Sequence, residues 1–168
     1  MRGGGQSVKW QARAEQLRFG SFAIDKPLVA LSTDEIGTFA HADFDLNLGG
    51  NILKRFNLTI DYPQRRLIFE PNTHAREDFR SDASGLVLKA EGPDYKNFVV
   101  RAVVPNSPAA EAGVQAGDII NSINGAATER YALWELQEEF KKSGATCELG
   151  IRRGQTSMVR KIRLRSLL

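Results

Sequence analysis

Apolar and polar residues alternate with a period of two in several short runs of this chain, and turn residues separate the runs. That pattern predicts a mainly β protein with short helices, an α+β chain. Residues 98–104 are β-branched and apolar, as a half-buried strand requires. Pro105, Asn106, Ser107 and Pro108 stop that strand. Ser107 is placed to cap a helix, and Pro108 suits the first helical position, where a missing N–H costs nothing. Residues 109–112 suffice for one helical turn, which Gly113 can end in a left-handed conformation. Gly117-Asp118 turns the chain into Ile119-Ile120, and Asn124-Gly125 signals another turn.

The same reading extends to both sides of residues 98–125. Downstream, a helix is expected from Thr128 or Glu129 to Lys142, ended by Ser143-Gly144. Leu133, Leu136 and Phe140 fall on one of its faces. Residues 146–152 and 158–164 form a closing hairpin around Arg153-Gly154-Gln155. Upstream, residues 86–90 make a strand, Glu91-Gly92-Pro93-Asp94 a turn, and residues 95–104 the return. Residues 8–72 also read as short strands. Residues 10–19 and 21–24 suggest a hairpin around Gly20, residues 27–31 a short strand, and residues 34–45 a polar, turn-rich stretch. Asn51 is placed to cap a short helix with Ile52, Leu53 and Phe56 on one side. Leu58, Ile60 and Tyr62 then alternate as a strand, residues 63–66 turn, and Leu67-Ile68-Phe69 returns.

A length of 168 residues suits one ordinary domain or two small ones. A formal charge of +3, with acids and bases interspersed, gives no strong field for nucleic acid. The one basic concentration comprises Arg152, Arg153, Arg160, Lys161, Arg163 and Arg165. It alternates with Ile162 and Leu164 and has no interleaved aromatics for base stacking, so it reads as a solvated strand face. Cys147 is the single cysteine, alternating with Leu149 and Ile151, which suggests a buried thiol rather than a nucleophile. His41 and His74 have no partner at metal-ligand spacing, and no metal or organic cofactor is expected. No apolar run reaches the length of a membrane-spanning helix, and no signal-peptide core opens the chain, so no membrane insertion is expected. Met1-Arg2-Gly3-Gly4-Gly5 looks like an arbitrary start, as expected of a piece of a longer protein.

The run SPAAEAGVQAGDIINSING, residues 107–125, closely resembles the centre of a PDZ domain, particularly of the bacterial branch. The resemblance implies a partly open β-barrel or sandwich with two helices over residues 84–168, after a linker at residues 73–83. A Gly-containing loop opens the domain and a strand near residues 161–164 closes it, the circularly permuted order of bacterial PDZ domains. It also implies a peptide-binding groove. A ligand segment would add as a strand beside residues 86–90, with its terminal carboxylate on amides around Gly85 to Val87. Unpaired amides that converge on an anion need no basic side chain. Candidate peptide-binding residues are Ser84, Gly85, Leu86, Val87 and Leu88 from the loop and strand, and Leu133, Leu136 and Phe140 from the helix. Ala83-Ser84 departs from the Gly-apolar pair usual before that glycine, which implies a weaker or altered carboxylate site. Lys89 reads as an exposed strand lysine. Leu133 stands about where a His often selects Ser or Thr, which implies an apolar third-from-last ligand residue. The alternative for Leu136 and Phe140 is simple burial in the core.

A second resemblance covers residues 8–72. LGGNILKRFNLTIDYPQRRLIFEP is similar to the closing segment of a retropepsin-like aspartic protease domain, and LRFGSFAIDKPLVALS to the strand pair before it. That implies an all-β half-barrel, the second half of such a domain. The chemistry needs an Asp-Thr-Gly or Asp-Ser-Gly loop, so that two close carboxylates can share a proton. Neither triplet occurs in this chain. Asp25, Asp34, Asp43, Asp45 and Asp61 sit at turns or strand ends. No catalytic residue is therefore assigned, and the catalytic loop is expected upstream of residue 1. Three functions follow: a peptide-binding module, an aspartic endopeptidase in the full-length parent, or a structural module that self-associates through residues 8–72. An envelope, periplasmic or secreted location is implied by resemblance alone.

Overall fold

The computed structural model describes residues 9–32 and 46–168. The expected turn-rich stretch at 34–45, with Asp34, His41, Asp43 and Asp45, lies outside the described residues. The chain forms two compact units, Met1–Phe79 and Arg80–Leu168.

The first unit begins with strands β1 (Lys9–Arg13), β2 (Gln16–Phe19), β3 (Phe22–Asp25) and β4 (Leu28–Ser32). They are the arms of one long hairpin around Gly20, in which β2 pairs β3 and β1 pairs β4. Between the two pairs, Ala14 N–H donates to Pro27 O and Lys26 N–H to Glu15 O. The hairpin therefore runs past the expected end at residue 24 and is interrupted where Pro27 has no donor to give. Helix α1 (Gly50–Leu53) follows, with Gly49 rather than the expected Asn51 at its N-cap. Strands β5 (Phe56–Asp61) and β6 (Arg66–Pro71) form the second hairpin, in the register Leu58–Phe69 and Ile60–Leu67. Asp61 closes its turn, accepting from Gln64 N–H at 3.0 Å and Arg66 Nε at 2.9 Å.

Phe19, Phe22, Phe56 and Phe69 join the two hairpins, with ring centroids 4.9–6.3 Å apart, mostly edge to face. They pack with buried Ile24 and Ile52. Arg55 is buried, and among the described residues the carbonyls of Asn51, His74, Ala75 and Glu77 accept its protons, while Phe79 lies under its guanidinium.

The second unit contains β7 (Leu86–Glu91), β8 (Asn97–Val103), α2 (Pro108–Glu111), β9 (Ile119–Ile123), β10 (Ala126–Ala127), α3 (Leu133–Glu139), β11 (Thr146–Arg153) and β12 (Thr156–Arg163). One antiparallel sheet runs β12-β11-β9-β8-β7, with β10 on β9. Its two ends are β12 and β7. Inward residues of the strands and of both helices form one core around Phe98, Val100, Ile120, Leu136, Phe140, Leu149 and Ile151. Ser107 caps α2 as its sequence predicts, accepting from Ala110 N–H at 3.3 Å.

The helix expected from residue 128 or 129 is split. Thr128–Arg130 makes a 3₁₀ turn, Tyr131 is extended, and α3 starts only at Leu133. Thr128 is buried and donates its hydroxyl to Ile120 O at 2.9 Å, which ties this turn to β9. Lys96 Nζ donates to Tyr131 O, and Ala132 N–H to the Glu135 carboxylate, which restarts the helix. Side-chain bonds that fix a backbone outside helical geometry outweigh the propensity of so short a segment.

Candidate functional site

The site begins at the loop before β7. Asp82 folds its carboxylate back over the next residues. Its Oδ2 accepts Ser84 N–H at 3.1 Å and Gly85 N–H at 2.5 Å, and its Oδ1 accepts the Ser84 hydroxyl at 2.7 Å. Ser84 Oγ in turn accepts Leu86 N–H at 3.0 Å. Three successive amides thus converge on one carboxylate and one hydroxyl oxygen. Burial pushes the Asp82 carboxyl up in pKa, against the pull of those hydrogen bonds and of the Lys141 charge.

The loop's carbonyls are taken from the other side by the segment that links β8 to α2. Val104 N–H donates to Gly85 O at 2.8 Å and Ala109 N–H to Ser84 O at 3.0 Å. Ala83 donates to Phe140 O and accepts from Arg165 N–H. Gly85 has φ +80°, and a Cβ there would collide with Ser107 Cβ and Oγ. Only glycine serves at this position, for conformation and space together.

Beyond the loop, β7 is an end strand with β8, among the described residues, on one side only, and α3 runs beside it. Leu86 is buried, Leu88 and Ala90 half-buried against the core, while Val87 and Lys89 are exposed. Lys89 pairs with Glu91 at 3.0 Å. From α3, Leu133 is half-buried on the same core, whereas Leu136 and Phe140 are shut in at 0% and 1% exposure. The eight candidate residues therefore divide. Ser84, Gly85 and Leu86 build the loop, Val87 and Leu88 lie on the end strand, Leu133 stands at the mouth of α3, and Leu136 and Phe140 are core.

A buried charge also fixes the turn between α2 and β9. Asp118 is fully buried and bidentate with Arg153, Nε to Oδ1 at 2.7 Å and Nη2 to Oδ2 at 2.9 Å. Gln115 N–H also donates to it, and Arg153 reaches Gly113 O. The guanidinium holds the Asp118 carboxyl below the usual range despite burial. Elsewhere, burial pushes the Cys147 thiol up to about 11, which leaves it protonated and unreactive near neutral pH. Among the described residues, no group of three His, Cys, Asp or Glu side chains is placed to hold a metal ion, and no helix is long and apolar enough to cross a membrane.

Residues 99–153, from β8 to the end of β11, match a protein-family model. That family is the PDZ domain. The mainly β, PDZ-like architecture of the second unit agrees with it, and the described residues of the chain are α+β with three short α-helices. No curated protein matches the chain. Among solved structures, the chain is similar to the photosystem II D1 C-terminal processing protease at 21% identity, with TM-score 0.47, over 52% of this chain and 24% of that one. It is similar to the HtrA3 PDZ domain bound to a phage-derived ligand (FGRWV) at 27% identity, with TM-score 0.45, over 51% of this chain and 86% of that one. A serine endoprotease from Yersinia pestis gives 18% identity and TM-score 0.49, over 68% of this chain and 43% of that one. The chain thus spans a quarter or less of the processing protease and under half of the endoprotease.

The role of Asp82 escapes a reading by family position. Its signal is local: an Asp two residues before a Ser and three before a Gly is placed to accept their amides, as in an Asx turn.

Proposed function

We propose that the PDZ region is a peptide-binding module that captures an extended segment of a protein by strand addition to β7. The observation that carries this reading is the end position of β7, unpaired on its outer side among the described residues and flanked by α3. Main-chain bonds to β7 would supply affinity. Leu88 and Leu133, the candidate residues that stay half-buried, would meet apolar ligand side chains. Leu136 and Phe140 would support the groove floor from the core rather than line an open pocket. A dissociation constant near micromolar, about −8 kcal/mol, is ordinary for such a contact.

The test uses the whole chain and decapeptides ending in Val, Leu, Ile or Phe. N-methylating alternate peptide amides should abolish binding in one phase of alternation and spare it in the other, because a strand presents its donors alternately. Leu133→Asp should weaken binding by about tenfold or more, given the cost of a charge at an apolar contact. Indifference to both changes would refute strand addition.

The boundaries 1–72, 73–83 and 84–168 remain our division into a half-domain, a linker and the PDZ domain in circularly permuted order. Supporting it, the loop and β7 come first in that last segment and β12 comes last. We also infer that residues 1–72 derive from a retropepsin-like aspartic protease domain, in an envelope-located parent whose PDZ domain delivers or senses substrate. The order of α1 and the β5–β6 hairpin supports this. Exposed Leu58, Ile60, Tyr62 and Leu67 on that hairpin favour self-association of the first unit. Sedimentation of the whole chain should then show a dimer that Ile60→Lys disperses, and a monomer at all concentrations would exclude it.

A further inference from the structure

We propose that Asp82 occupies, from within the chain, the amides that would otherwise hold a ligand's terminal carboxylate, so that this groove selects extended internal segments over free C-termini. The inference rests on the strand-addition reading above and specifies its ligand.

An anion site made of backbone amides works by convergence: a few unpaired N–H groups point at one place, and any carboxylate of the right reach satisfies them. At the head of β7 that place is filled. Asp82 Oδ2 accepts Ser84 and Gly85 N–H directly, and the Ser84 hydroxyl, itself donating to Oδ1, accepts Leu86 N–H. No amide from Ser84 to Leu86 is left for a second anion. Adding one would set two carboxylates against the same donors, where like charges repel and each loses solvent. Among the described residues no lysine or arginine makes a hydrogen bond or ion pair with Asp82, and its direct partners are the amides and hydroxyl of this nest, with the Lys141 charge acting from farther off. Displacement by a ligand is also costly. The loop is clamped by Val104 and Ala109 on its carbonyls and by Ser107 against Gly85, so the amides cannot turn elsewhere while Asp82 leaves.

β7 is untouched by this arrangement. Its outer side from Val87 to Glu91 remains an end strand, and a segment that continues past the loop instead of ending at it needs no carboxylate. The result is a groove that reads main chain and side chains but not chain termini.

The experiment compares the whole chain with Asp82→Ala, using decapeptides ending in Val, Leu, Ile or Phe, each as free acid and as C-terminal amide. In the native protein, acid and amide of each pair should bind within about twofold of each other. In Asp82→Ala the free acid should gain about tenfold over the amide, the usual worth of charge-assisted hydrogen bonds. Asp82→Asn keeps the acceptor oxygen and the turn while removing the charge. It should shift the preference the same way by about threefold, and it carries the test if the Ala variant does not fold. A native preference for free acids of about tenfold, or no acid preference in either variant, would overturn the inference and leave strand addition standing. Failure of every peptide to bind native and variant proteins alike would overturn strand addition itself, and this inference with it.

Discussion

In the second unit the strands share one sheet, and Phe98, Ile120, Leu149 and Ile151 are closed off from water; in the first, the strands among the described residues pair two by two, and Leu58, Ile60, Tyr62 and Leu67 remain exposed. Both regions have alternating apolar positions. The difference lies in what covers the apolar face. α2, α3 and the sheet bury their apolar faces in one core in the second unit. The first relies on an aromatic cluster where its two hairpins meet. An isolated two-stranded sheet is marginal in water, so the first unit should be the less stable partner.

Urea unfolding of the whole chain should therefore show two transitions, the earlier reported by hydrogen exchange in β5 and β6. Phe98→Ala should lower the later one by about 3–5 kcal/mol, because it leaves a cavity in a closed core. Phe56→Ala should move only the earlier one. A single transition for both regions would break the comparison. Next in size, Asp118→Ala should cost about 2 kcal/mol by stranding the Arg153 fork and Gln115 N–H. The folded pKa of Asp118 lies below its ordinary 3.8, so its contribution is complete above that pH and fades as pH falls through the depressed value. Asp82 has the opposite sign: its raised pKa favours the fold most below 3.8 and less as pH rises through the raised value. Acid scans of D118N and D82N against the native chain should each lose one of these contributions, with difference curves of opposite slope.

Ser107→Ala should cost about 1 kcal/mol, the worth of a helix cap, and should loosen the contact with Gly85. The smallest effect belongs to the first unit. Exposed Glu77, held at about 2 by His74 and Lys54, contributes above 4.5 and loses its contribution as pH falls towards 2. Glu77→Gln should flatten that part of the earlier transition's acid profile and leave the later transition alone.

Turn chemistry made much of the second unit readable from its residues. Ser107-Pro108 starts α2, and Asn124-Gly125 turns with φ +50° and +79°. Such signals are local, and the same neighbours act in sequence and in space. Three features were not readable for the opposite reason. The α3 start depends on Thr128 reaching Ile120, eight residues away. The closure of Leu136 and Phe140 depends on how near the sheet comes, since a groove wall and a core stripe share one helical spacing. Alternation at Leu58 and Ile60 shows that a strand has two faces, without saying that anything covers either. At the site, its place before a strand marks Gly85, but Asp82 falls in a stretch that reads as linker, because its partners are main-chain amides, which every sequence contains.

The most direct measurement is residue-resolved amide hydrogen exchange of the whole chain, with and without a saturating decapeptide ending in Val. Strand addition predicts that outward amides of Leu86–Glu91 gain protection, while those of Ser84 and Gly85, already bonded to Asp82, stay as they were. Protection gained in β5 and β6 with none in β7, or nowhere in the chain, would contradict it.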